Sequence, residues 1–250
     1  KADWENGNST RSGLLWEVER ILKELPEDEL PQILLMENVP QVHAEQNRAD
    51  FEAWLSFLRS KGYYNSWDDL NAKDYGIPQN RERIYIVAFR NDIAPVNFDF
   101  PVATDSTKRI KDIIEENPVP AKYYLSDVYV ETLRRHKARH ESKGNGFGYE
   151  IRDWSDVAGA IVCGGMGRER NLVIDERQKD LTPTTHIKGE INKESVRKMT
   201  PREWARLQGF PDDFVLPLAD THLYKQFGNS VTVNVIEAIA LKIKEVLDNA

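Results

Sequence analysis

Apolar positions recur at helical spacing in Leu14, Leu15, Val18, Ile21, Leu22 and Leu25, which predicts an amphipathic helix over Ser12 to Leu25 that ends before Pro26. Ile33-Leu34-Leu35-Met36 follows as an unbroken apolar run, the pattern of a buried strand. Phe51, Trp54, Leu55 and Leu58 mark a second helix stopping near Gly62, and Tyr63 to Leu70 leads through a turn to a β-branched strand at Ile84 to Phe89. Helix, strand, helix, strand, strand is the order of an α/β fold, here expected as a mostly parallel sheet whose final strands form an antiparallel edge.

Beyond Asn91 the pattern changes. Pro95, Pro101, Pro118 and Pro120 punctuate short extended pieces, and a basic helix is predicted from Ser126 to Lys143. The glycine run Gly144 to Tyr149 behind it does not open a helix after a strand, so it is not read as a dinucleotide loop. Thr200-Pro201-Arg202-Glu203 gives a helix start with an N-cap, a proline in the first turn and a capping-box glutamate. Trp204, Leu207, Phe210 and Phe214 read as packing residues. The last helix, Val233 to Leu247, carries Ile236, Ile239, Ile243 and Val246 on one face, which should return it to the sheet.

Composition narrows the class. No apolar run approaches the roughly 18 residues that span a bilayer. The single cysteine, Cys163, excludes an internal disulfide framework and fits a reducing cytosol. A net charge of −7 argues against a nucleic-acid partner until its distribution is considered. Arg134 to Lys198 carries 14 Lys/Arg against 10 Asp/Glu, so a basic middle sits in an acidic chain and is compatible with a DNA groove.

Two segments concentrate the candidate chemistry. In Gln79-Asn80-Arg81-Glu82-Arg83, leading into the strand at Ile84, alternating arginines are expected to project two guanidinium forks from one side of an extended segment, suited to a base edge or a phosphate. Glu37-Asn38-Val39 places a carboxylate at the C-terminal end of a strand, where open α/β sheets hold ligands. A metal-dependent nuclease is set aside, because no Asp/Glu cluster with a nearby Lys stands at strand ends. His136 and His140 lack the cysteines a zinc site would want, and no metal is expected.

These segments, with Arg197, Thr200-Pro201-Arg202-Glu203, Ala205 to Pro211, Phe214 and Gln226-Phe227-Gly228-Asn229-Ser230-Val231, resemble the cytosine-C5 DNA methyltransferases, in family order. The resemblance implies the later part of a Rossmann-like methyltransferase sheet, with a smaller, irregular target-recognition domain. Residues 1–90 would be a partial catalytic domain, 91–195 the target-recognition domain, and 196–250 a hinge and return to the catalytic domain. It further implies S-adenosylmethionine as cofactor, double-stranded DNA as partner, no membrane, and a bacterial restriction-modification setting in the cytoplasm.

By the same resemblance Glu37 would act as an acid near cytosine N3, Arg83 as a cation near O2, Asn38 as the orienter of the nucleophile loop, and Arg81 as a steadying group. Leu14, Asn229, Ser230 and Val231 would contact the cofactor. Arg11, Lys143, Asn145, Arg168, Arg170, Thr182 and Thr184 would contact DNA. The family's Phe-x-Gly-x-Gly cofactor loop and Pro-Cys-Gln nucleophile motif are not in this sequence. Cys163 has neither flanking residue and reads as a small buried hydrophobe in a glycine turn. The sequence is therefore expected to be the C-terminal two thirds of an enzyme, as a cleavage product, a truncated chain, or a subunit that an N-terminal fragment or subunit complements. The alternative is a DNA-binding specificity module without catalysis.

Overall fold

The first helix forms where the spacing places it, as α1 (Leu14–Glu24), in a computed structural model that describes residues 14–93, 98–146, 148–164, 167–182 and 189–249. The chain divides into two compact units. Unit 1 comprises residues 1–70, 82–101 and 239–250; unit 2 comprises 71–81 and 102–238.

Unit 1 holds α1, β1 (Ile33–Asn38), α2 (Arg48–Ser60), β2 (Tyr63–Asn71) and β4 (Glu82–Arg90). Its sheet has the order β1-β4-β2. Trp16, Leu22, Phe51, Trp54, Leu55 and Leu58 pack against Ile84, Ile86 and Ala88 of the central strand. Central position explains why Ile84 to Phe89 is buried on both faces, none of these residues being more than 2% exposed. The sheet differs from the mostly parallel one expected: β1 pairs β4 antiparallel, from Ile33 opposite Phe89 to Asn38 opposite Ile84.

β1 is also not the buried strand its apolar run suggested. It lies at the sheet edge, with Leu35 43% exposed. Beside it an apolar cavity of about 170 Å3 is lined by Leu15, Val18, Leu34, Leu35, Met36 and Trp54. Tyr63 to Leu70, the second strand of the expected order, forms β2, whose polar residues fit its edge position.

Unit 2 contains β3 (Gln79–Asn80), α3 (Asp127–Glu141), β5 (Ile151–Arg152), β6 (Ala158–Gly159), β7 (Leu172–Ile174), β8 (Val196–Lys198), α4 (Pro201–Leu207) and α5 (Asp220–Asn229). α6 (Val233–Asp248) runs from unit 2 into unit 1 along the chain. Short ladders join β3 to β6 in parallel and order β5-β7-β8. Among the described residues no helix is long and apolar enough to cross a membrane.

The core of unit 2 gathers Ile110, Ile161, Val173, Met199, Trp204, Leu207, Leu223 and Phe227. Within it lies a fully buried guanidinium. Arg197 donates from Nε to Asp175 at 2.9 Å and from Nη1 and Nη2 to the two oxygens of Glu203, each at 2.8 Å. Glu203 also closes the expected capping box, accepting from the Thr200 amide at 2.8 Å while Thr200 Oγ1 accepts from the Glu203 amide at 3.2 Å. Burial pushes the Asp175 carboxyl up, but hydrogen bonds from Arg177 and the charge of Arg197 outweigh it and hold the group at about 2.

Because that value lies below the 3.8 of the free group, the linked stabilisation is present above about pH 4 and is lost as pH falls through 2; it amounts to roughly 2 kcal/mol. Replacing Asp175 leaves Arg197 buried and under-paired. Asp175→Asn should therefore cost about 3 kcal/mol at neutral pH. Urea unfolding as a function of pH checks this: the gap between wild type and variant narrows once the wild-type carboxylate protonates.

Candidate active site

The acid and the second arginine named by the sequence meet across the β1–β4 ladder. Glu37 stands opposite Tyr85, and Arg83 enters β4 one residue before the Asn38–Ile84 pair. Arg83 Nε lies 3.1 Å from Glu37 Oε1, with the two side chains 15% and 27% exposed. Arg83 Nη1 also donates to the Glu82 carbonyl at 2.6 Å. Asn38 turns back on its own chain, Oδ1 accepting from the Val39 amide at 2.8 Å. An ion pair that retains some solvent access at a strand end can be opened by an entering ligand at modest cost.

Arg81 has a different environment. The extended segment expected through Arg83 is interrupted, because β3 ends at Asn80 and the Arg81 amide donates back to the Gln79 carbonyl at 2.9 Å, a three-residue turn. Arg81 is buried, donating from Nη1 to the Ile161 carbonyl and from Nη2 to the Ser230 carbonyl, both at 2.9 Å. The two alternating arginines thus belong to different units.

Sequence reading gave Gln79 no role, yet it is fully buried beside Arg81. Its Nε2 donates to the Leu207 carbonyl at 2.5 Å, and its Oε1 accepts from the Ile161 amide at 2.9 Å. Gln208 repeats the device, donating to the Phe227 carbonyl at 2.7 Å and accepting from Thr232 Oγ1 at 3.1 Å. Both glutamines stood inside the quoted motifs. Their function was illegible because the partners of Gln79 lie 82 and 128 positions away.

Together these groups fix residues 161–163 against the end of α5. Gly228 is required at that contact, since a Cβ there would meet the Cys163 amide nitrogen at 2.5 Å and the Val162 carbonyl carbon at 2.8 Å. Cys163 is not the buried hydrophobe expected: it is exposed, and its thiol donates to Asn229 Oδ1 at 2.5 Å. The tight backbone approach of Gly228 holds it at the surface. Asn229 and Val231 are exposed, and Ser230 is half-buried with its hydroxyl donating to the Val231 carbonyl at 2.9 Å. Leu14 is the first residue of α1.

Val162, Cys163, Gly164, Arg168, Trp204 and Tyr224 line a cavity of about 250 Å3, where the Arg168 guanidinium stands 5.5 Å from the Tyr224 ring centre. Arg168 and Arg170 share the 3₁₀ turn Gly167–Asn171. Lys143 and Asn145 are exposed past the end of α3, each amide donating to the His140 carbonyl. Thr182 is exposed and donates to Asp180 at 2.5 Å. Arg11 and Thr184 lie outside the described residues. Among the described residues no group of three or more His, Cys, Asp or Glu is arranged to hold a metal ion.

The fold is that of an α/β methyltransferase. S. pombe Dnmt2 methyltransferase superposes on it with a TM-score of 0.67 over 94% of this chain and 74% of that one, at 18% identity. The chain belongs to the C-5 cytosine-specific DNA methylase family, whose model matches residues 5–245. It is 52% identical over 242 residues to the type II methyltransferase M.HpaII of Haemophilus parainfluenzae, covering 96% of this chain and 66% of that protein. To the type II methyltransferase M.SsoII of Shigella sonnei it is 37% identical, covering 97% and 59%. It thus spans less than two thirds of the length of both.

Deleting the Gln79 side chain orphans a buried carbonyl and a buried amide, each worth about 1 to 3 kcal/mol. Gln79→Ala should lower the urea midpoint accordingly. Gly228→Ala should destabilise by a further comparable amount, because its new methyl meets backbone that has no rotamer to yield. A Gly228→Ala protein as stable as wild type would show that the contact relaxes freely.

Proposed function

We propose that this chain supplies the acid, the arginine and the target-recognition region of a DNA cytosine-C5 methyltransferase of bacterial restriction-modification. The observation that carries this reading is the Glu37–Arg83 pair, 3.1 Å apart on adjacent strands. C5 of cytosine becomes nucleophilic only after a thiolate adds at C6, and that addition moves negative charge toward N3 and O2. As the entering base displaces Arg83 from Glu37, the freed carboxylate takes up a proton from water and donates it to N3 while Arg83 turns toward O2, so the groups that neutralise each other in the free protein stabilise the adduct. The target base must first leave the duplex.

Family membership implies S-adenosylmethionine as the methyl donor, and when bound it supplies the electrophilic methyl group. The donors here suit its amino-acid end: the Ser230 hydroxyl is engaged only by a neighbouring carbonyl, and Asn229 uses its oxygen on Cys163, leaving its amide to donate. Leu14 and Val231 are the other cofactor contacts of this reading. Arg168, Arg170, Thr182, Thr184, Lys143, Asn145 and Arg11 are the DNA contacts of this reading, with residues 91–195 as target-recognition region, 1–90 as partial catalytic domain and 196–250 as hinge and return. Glycine loop and nucleophile come from a segment carrying Pro-Cys-Gln outside these 250 residues, joined or separate. Among the described residues β1 is paired on one side only and Leu35 is exposed, which supports such a complement.

Transfer of labelled methyl into DNA by the chain combined with that segment tests the reading. Glu37→Gln should cut turnover by about 10²- to 10⁴-fold with DNA affinity largely kept. Equal loss of turnover and affinity would remove the acid role. Arg83→Ala should cost about 10²- to 10³-fold in turnover, as expected for one lost donor to a developing oxyanion.

A further inference from the structure

We propose that the outward face of α3 is a second DNA contact surface, a row of three cations that follows the phosphates of one strand beside the recognition segments. This extends the function proposed above and rests on DNA being its partner.

α3 buries Val130 and Leu133. At 100° per residue the opposite face carries Val128, 67% exposed, and then Arg135, Arg139 and, just past the last turn, Lys143. The three cations are exposed and spaced i, i+4, i+8, each step rising about 6 Å, a stride comparable to that of successive phosphates along a strand. None of the three pairs with a carboxylate among the described residues. Neighbouring cations of unit 2 are already matched: Arg134 faces Glu131 and Glu194, Lys198 faces Glu169, and Arg177 and Arg197 share Asp175. Glu131, four residues before Arg135, lies 3.9 Å from Arg134.

Like charges at i, i+4 weaken a helix, a cost that the C-terminal end of the macrodipole offsets only in part for Arg139 and Lys143. In a chain of net charge −7 the row is a local reversal that a polyanion would relieve. The anchoring of α3 supplies the direction. Tyr129 donates to Glu169 at 3.0 Å, inside the turn that carries Arg168 and Arg170. The Asp127 amide donates to the Glu190 carbonyl, and Ser126 bridges to Ile191, where the chain returns from the Thr182 segment. A Cβ on Gly189 would touch Val128, which stands on the same line as the cations. The row therefore starts from a helix end held by both candidate recognition segments.

Binding of a short random-sequence DNA duplex, measured across a salt series with the full chain, tests the inference. Each phosphate contact contributes about 0.9 to the slope of log affinity against log salt. The triple variant Arg135→Gln, Arg139→Gln, Lys143→Gln should lower that slope by about 2 to 3, equally for every duplex sequence. A control of equal charge change, Arg59→Gln, Lys242→Gln, Lys244→Gln, should leave it within about half a unit of wild type. If the two triples behave alike, α3 is an ordinary solvated face and the inference is overturned. Failure of the methyl-transfer assay with the slope difference intact would refute the enzymatic reading and leave the α3 surface standing. Wild-type protein without DNA affinity would overturn both.

Discussion

A guanidinium buried without access to water has to find all its partners inside the protein, and Arg197 sets much of unit 2 by that requirement. Asp175 comes to it from beyond β7, Glu203 from the first turn of α4, and a carbonyl from Lys198. Glu203 is shared between the ion pair and the helix cap, so the start of α4 cannot shift without uncovering charge. Fixing α4 fixes Leu207 and Gln208 at its end, and through them Gln79 and the Ile161 amide. The Arg197 network thus reaches the segment that leads into Cys163 and Arg168 by a continuous series of buried hydrogen bonds.

The arginines of the Gln79–Arg83 segment divide their tasks by what lies within reach. Arg83 meets a carboxylate across a strand pair and can exchange it for another acceptor. Arg81 is closed around two backbone carbonyls, one at Ile161 and the other at the end of α5 beside Asn229. A carbonyl is a neutral acceptor with no competing form, so Arg81 organises backbone whereas Arg83 remains available to a ligand. Gly228 completes the same joint by having no side chain where residues 162 and 163 press closest.

Several of these elements were legible in advance for identifiable reasons. α1, α2 and α6 follow from apolar spacing, α3 was expected as a basic helix, and the Thr200 capping box follows from four consecutive residues. β4 reads correctly because a central strand is apolar on both faces. β1 has the same appearance and a different fate, since a run of four apolar residues does not say whether both of its flanks are covered. β2 follows from its place in the order after the second helix, and its Asn, Ser and Asp fit an edge position. Glu37 and Arg83 were found as motif residues, but their 3.1 Å contact depends on a register that brings β1 against β4 across more than forty residues of chain.

The sequence by itself determined local form and family: helix periods, caps, the strand-end glutamate and the ordered motifs of a C5-cytosine methylase. These are read from neighbours a few positions apart, within which backbone geometry and side-chain spacing act directly. Tertiary structure alone decided that Cys163 is exposed, that Arg81 is buried, that Arg135, Arg139 and Lys143 meet no carboxylate among the described residues, and that Gln79 and Gln208 hold a joint together. The pairings involved join residues 19 to 149 positions apart that must arrive within about 3 Å, the range over which hydrogen bonds and desolvation are settled. No local pattern encodes that distance.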